Sequence, residues 1–190
     1  NGRTTFYVFD DLNPTGYAQV LEELNTVGGP ANFAVTRTYT HGHTLLSQDQ
    51  LRDGQWATSF YGYDGHHSVR YLTDLQGRVT DTQDYDAFGN LIARASAGAA
   101  PTPNVYGYRG QQYDPDLDLY YLRARYHNPG TGRFWSMDSF GGFADDPASL
   151  HKYTYAGNDP VNAWDPSGNW SLPELSMAQK IGMTMGAAYG

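Results

Sequence analysis

The segment "RYLTDLQGRVTDTQDYDAFGNLIARA", residues 70–95, contains two Asp-x-x-Gly corners, Asp74 to Gly77 and Asp86 to Gly89, twelve residues apart. Each corner interrupts residues suited to strands. Arg78-Val79-Thr80 resumes after the first, and Asn90-Leu91-Ile92 after the second. An Asp at the first turn position accepts hydrogen bonds from backbone N–H groups just ahead. A Gly at the fourth takes the left-handed conformation that closes a type I turn with a bulge. Each corner therefore predicts a β-hairpin, with a structural carboxylate.

The same unit, an aromatic pair followed by an acid and a turn, recurs along the chain. It appears in Tyr7-Val8-Phe9-Asp10, Tyr61-Gly62-Tyr63-Asp64-Gly65 and Tyr113-Asp114. Residues 13–27, "NPTGYAQVLEELNTV", read as a strand in which Tyr17, Gln19 and Leu21 alternate with Ala18, Val20 and Glu22. A helix is the rival, because Leu21 and Leu24 also fit its period. Residues 96–104, "SAGAAPTPN", form a loop of small residues and proline, after which aromatics and arginine become denser. A subdomain boundary is placed there. From Ser171, capping-box spacing to Glu174 and apolar residues at Leu175, Ala178, Ile181, Met185 and Ala188 predict a short helix over 172–188.

Composition agrees with a turn-rich β protein. Of 190 residues, 16 are Tyr, 8 Phe and 4 Trp, with 22 Gly and 10 Pro, so amphipathic aromatics must supply much of the core. The formal charge of −8 lacks the basic face that a nucleic-acid partner needs. There is no cysteine, which removes disulfides, thiolate metal sites and thiol catalysis. No apolar run is long enough to span a membrane. The chain opens at Asn1 with no leader pattern and is expected to be a portion of something longer.

Two long strings are specific. "GQQYDPDLDLYYLRARYHNPGTGRFWSMDSF" (110–140), followed by "SLHKYTYAGNDPVNAWDPSG" (149–168), resembles the RHS-repeat-associated core of bacterial Rhs/YD-repeat proteins. "YVFDDLNPTGYAQVLEE" (7–23) and "TSFYGYDGHHSVRYLTDLQGRVTDTQDYDAFGNLIAR" (58–94) resemble the YD repeats that precede it. The family includes polymorphic toxins and toxin-complex C components. The resemblance implies a mainly β fold: antiparallel YD-repeat hairpins forming part of a spiralling sheet or shell, with a core that closes one end. On this reading residues 1–95 are YD-repeat sheet, 96–170 the core plug, and 171–190 a helical linker or pre-toxin segment.

The implied function is structural. The shell encapsulates and delivers a C-terminal effector, working with the upstream Rhs repeats of the parent protein. The parent would leave the bacterial cytoplasm through a secretion system. Exposed sheet edges suggest self-association as a further possibility. A glycan-binding or adhesion role is another reading, since aromatic side chains suit sugar faces.

Family toxins often cut themselves at the end of the core with a pair of aspartates. Two carboxyls brought close share a proton, so one can activate water while the other polarises the scissile carbonyl. Matching the family motif places the pair at Asp138 and Asp165, with Arg133 as the orienting cation, and the cut near Gly168, Asn169 and Trp170. Two departures are visible: Ser139 stands where Pro is usual, and Asn169 where Leu is usual. Asp165 as the cap of a turn is the competing reading, and Asp159-Pro160 looks similar. His41 and His43 share a face if extended, as a zinc pair would, but no third ligand follows. No metal and no cofactor are expected. Arg123 and Arg125 are expected to share one face of a strand and to pair with Asp114, Asp116 and Asp118.

Overall fold

The computed structural model describes residues 4–26, 32–139, 141, 147–169 and 172–173. Eight strands, β1 (Thr5–Asp10), β2 (Gln19–Thr26), β3 (Phe33–His41), β4 (Leu45–Arg52), β5 (Gln55–Tyr63), β6 (Val69–Thr73), β7 (Val79–Tyr85) and β8 (Leu91–Ser96), form one antiparallel sheet. Spatial order equals chain order, so every connection joins neighbours, and β1 and β8 are the outer strands. The fold is mainly β, as the hairpin reading requires. The segment at Gln19–Thr26 is strand, not helix.

The corners explain the meander. Asp74 Oδ1 accepts from the N–H groups of Gln76 and Arg78, both at 2.9 Å. Gly77, at φ +74, closes the turn by donating to the Asp74 carbonyl at 3.0 Å. Backbone donors, led by that of Arg78, hold the Asp74 carboxyl below its ordinary range. The Asp64 corner repeats these contacts with His66 and Ser68, both at 2.9 Å. There the left-handed residue is His67, at φ +62, and not Gly65. The fourth position imposes the conformation whatever residue occupies it. Between β4 and β5, Asp53 and Gly54 both have positive φ, as a two-residue hairpin loop of the primed type demands.

One face of this sheet is covered by its own chain. Residues paired across strands share a face. Glu23 opposite Arg37, Tyr39 opposite Gln48, and Tyr61 opposite Leu72 mark the covered side. After β8 the loop of small residues folds back over it. The Pro103 carbonyl accepts from Gln48 at 3.0 Å, and Tyr61 donates to Asn104 at 3.0 Å. Tyr106 packs edge-on against Tyr39 with ring centroids 5.2 Å apart. Beneath this strap sits a buried pair, Arg37 with Glu23 at 3.1 Å, and Tyr39 donates to the same carboxylate at 2.6 Å. Burial pushes the Tyr39 and Tyr61 phenols up, so both stay protonated donors.

The opposite face exposes Trp56, Phe60 and Tyr71. Gly62 pairs with Tyr71, and the Tyr71 ring covers it so closely that an added Cβ would lie 2.2 Å from ring carbons. We expect Gly62→Ala to cost about 1–3 kcal/mol through this overlap. In a Tyr71→Ala background the cost should fall below about 0.5 kcal/mol, read by urea denaturation as a double-mutant cycle. Equal costs in both backgrounds would show that the ring does not set the requirement for glycine.

Contacts divide the chain into two compact units: residues 1–86 with 91–111, and residues 87–90 with 112–190. Residues 96–111, expected with the plug, thus group with the eight-stranded sheet. In the second unit β9 (Gln112–Asp114), β10 (Leu119–Leu122), β11 (Arg125–Asn128) and β12 (Arg133–Phe134) form an antiparallel sheet ordered β12-β11-β10-β9. β13 (Ala163–Trp164) pairs with β14 (Leu172–Pro173). The core of this unit is aromatic: His127 and Tyr155 are buried with ring centroids 4.1 Å apart, beside Phe134. The expected helix over 172–188 lies outside the described residues, save Leu172 and Pro173, which are strand.

Candidate functional site

The second unit brings Asp138 and Asp165 to one guanidinium, that of Arg125. Three local features position it. First, β10 and β11 form a tight hairpin through Arg123 and Ala124, with Arg123 at φ +63 and Ala124 donating to the Leu122 carbonyl at 2.7 Å. This starts β11 at Arg125, whose side chain turns inward while its guanidinium lies 3.6 Å from the centre of the Phe134 ring. Second, after β12 the chain runs alongside residues 152–154. Phe134 donates to the Tyr153 carbonyl and Asp138 to the Lys152 carbonyl, at 2.8 and 2.9 Å. Third, Asp165 follows β13 and enters the Pro166-Ser167-Gly168 turn.

Arg125 Nη2 lies 2.7 Å from Asp138 Oδ2 and 3.5 Å from Asp165 Oδ2. The two oxygens are therefore within about 6 Å of each other. Arg125 and Asp165 are buried, and Asp138 is 14% exposed. Burial pulls the Arg125 guanidinium down from its ordinary range, and the two aspartates push it back up. Both carboxylates thus face the same guanidinium.

The two oxygens of Asp165 do different work. Oδ1 caps its turn, accepting from the Ser167 N–H at 3.2 Å, the Ser167 hydroxyl at 3.2 Å and the Gly168 N–H at 2.8 Å. Oδ2 faces Arg125. The readings of Asp165 as turn cap and as member of a pair are thus compatible. Arg125 has two further acceptors. Its Nη1 donates to the Lys152 carbonyl at 3.1 Å, and its Nε donates to the Gly168 carbonyl. That carbonyl belongs to the peptide bond between Gly168 and Asn169, inside the expected cleavage region. Trp170 lies outside the described residues.

Other expectations are placed elsewhere. Arg133, expected beside the carboxylates, is exposed, because alternation along β12 turns Phe134 inward and Arg133 out. Arg123 and Arg125 do not lie on one continuous strand, since the turn separates them. Arg125 pairs with Asp138 and Asp165, from the later part of the unit, in place of the expected Asp114, Asp116 and Asp118. Asp114 caps its own turn through the Asp116 and Leu117 N–H groups, and Asp118 accepts from the Tyr113 hydroxyl at 2.9 Å. Asp159 is exposed and holds Asn162. His41 ends β3 and bonds the Val20 carbonyl at 2.8 Å, whereas His43 lies in the turn at residues 42–44. Among the described residues no group of three or more His, Asp or Glu is arranged to hold a metal ion. No helix among them is long and apolar enough to cross a membrane.

No family model matches the chain. Among curated proteins it is 35% identical over 172 residues to the tRNA nuclease WapA of Bacillus subtilis, covering 90% of this chain and 7% of that protein. It is 31% identical over 128 residues to the toxin protein Tse5 of Pseudomonas aeruginosa, covering 67% of this chain and 9% of that one. The chain therefore spans less than a tenth of these relatives' length. A solved structure of the Photorhabdus luminescens Tc holotoxin pore, carrying a mutation in TccC3, shares the fold. Its TM-score is 0.62 at 20% identity, over 83% of this chain and 8% of that one. The paired Asp-capped hairpins, the aromatic second unit and these likenesses converge: the chain belongs to the Rhs-repeat and toxin-complex family.

Proposed function

We propose that the chain forms the last repeats of a β shell and its closing plug, and that the whole assembly encapsulates and delivers an effector. The observation that supports this reading is the open, eight-stranded sheet. β1 exposes Phe6, Tyr7, Val8 and Phe9, and an apolar outer strand is a template for further pairing. In the parent protein, upstream repeats are the natural occupants of that edge, and the effector is the enclosed partner. Delivery by a bacterial secretion system follows from the same reading. The test is protease protection. A C-terminal effector segment should survive digestion in a parent chain carrying all upstream repeats and be degraded when fused to these 190 residues alone. Equal susceptibility in both would refute encapsulation.

A second reading, single-turnover cleavage of the chain by its own aspartates, is favoured by the contacts of Arg125. One guanidinium joins Asp138, Asp165 and the Gly168 carbonyl. In this reading Arg125 polarises the carbonyl and the unprotonated carboxylate takes a proton from water. The water oxygen adds to the carbonyl carbon of the bond being cut, the C–N bond breaks, and the other carboxyl supplies a proton to the departing amine. Because the bond is part of the same chain, effective molarity supplies much of the rate. A chain extended beyond residue 190 should release a fragment beginning at Asn169 or Trp170, detected by intact mass, and Asp165→Asn should abolish release. An uncut parent mass after prolonged incubation would sink this reading and leave the shell proposal standing.

A further inference from the structure

We propose that the β10–β11 turn is a backbone clamp for residues 166–168, holding the bond that follows in a single register, and that Arg123 is its positioning residue. The cleavage role of the clamp rests on the self-cleavage reading; the clamp itself does not. Three successive positions of the turn donate to three successive carbonyls. Arg123 Nη1 donates to Pro166, the Ala124 N–H to Ser167 at 3.1 Å, and Arg125 Nε to Gly168. Every one of these contacts reads the backbone. The segment also needs a glycine at Gly168, where an added Cβ would lie 2.3 Å from the Leu122 carbonyl oxygen and 3.0 Å from the Arg125 nitrogen. The turn and the segment are therefore in direct backbone contact.

Arg125 alone could hold one carbonyl, but a single anchor lets the segment pivot or slip by a residue. Arg123 adds a second cationic anchor two carbonyls upstream. It reaches there because its backbone is left-handed at φ +63, which makes the loop between β10 and β11 only two residues long. Its contact is with the chain backbone at Pro166, upstream of the bond, which makes it a positioning residue. The clamp also lies upstream of the candidate cut, so it would keep the new chain end in place while the downstream part leaves.

The test uses the chain with a C-terminal extension and follows both the rate and the position of the cut by intact mass. Arg123→Ala is expected to slow release about tenfold or more, the effect of one lost charge-assisted hydrogen bond, and to spread the cut over neighbouring bonds. Arg123→Lys, which can still donate to one carbonyl, should restore the single position. Cleavage by Arg123→Ala at the parental rate and at one bond overturns the proposal. If the parent does not cleave, the self-cleavage reading fails by itself, and amide exchange decides the clamp. The Ala124 and Gly168 N–H groups should then exchange about tenfold faster in Arg123→Ala, with β1–β8 unchanged as the control for folding. Unchanged exchange at those two amides overturns the clamp.

Discussion

Arg125→Met is expected to destabilise the second unit by about 3–5 kcal/mol, the largest effect of any single substitution considered for this chain. The guanidinium is 5% exposed and Asp165 is 1% exposed, so the Asp165 carboxylate is held away from solvent when the cation is lost. The substitution also strips donors from the Lys152 and Gly168 carbonyls. A methionine fills similar volume against Phe134 and isolates the electrostatic loss from a cavity. Denaturation followed by tryptophan fluorescence measures the change. Adding Asp138→Asn to Arg125→Met should recover about 1–3 kcal/mol, because a neutral amide no longer opposes the Asp165 charge. A loss under about 1 kcal/mol for the single variant would mean that the pair does not depend on this cation.

Gly168→Ala is expected to cost about 2–5 kcal/mol, from a left-handed backbone and a steric overlap together. Gly168 sits at φ +75, and the Leu122 carbonyl it would strike belongs to a strand end that cannot yield alone. Gly157→Ala supplies the comparison. Gly157 has φ +62 with nothing within 4 Å of its added Cβ, so it should cost only about 1–2 kcal/mol. The difference between the two variants measures the overlap. Should the chain cut itself, Gly168→Ala should also slow cleavage by about a hundredfold, since it moves the bond away from Arg125. Equal costs at the two glycines would show that the segment is not seated against the turn.

The Asp-capped corners were legible because they are local. Asp74 reaches no further than Arg78, and Asp64 no further than Ser68, so spacing alone describes both. The identity of the left-handed residue was less legible. Gly65 advertised itself, but the fourth position of that turn belongs to His67. The strap over the sheet was read as a boundary, because a loop rich in Ala, Gly and Pro carries no sign of what its carbonyls will accept. Within the candidate site, Asp138 and Asp165 came from resemblance, while their cation was misplaced at Arg133. The signal was present in "LRAR", two arginines flanking one small residue, and it was read as a strand. A turn there takes the two arginines off one strand and gives them different partners, Pro166 for Arg123 and the aspartates for Arg125.

By itself the sequence determined a mainly β chain of hairpins, because corners such as those at Asp64 and Asp74 are fixed by contacts within four residues. Only the tertiary structure decided which charges meet. Arg125 is 43 residues from the carbonyl of Gly168 that it holds. Nothing in local spacing encodes that approach. It follows from strand pairing, the inward turn of β11 and a glycine too small to keep two backbones apart.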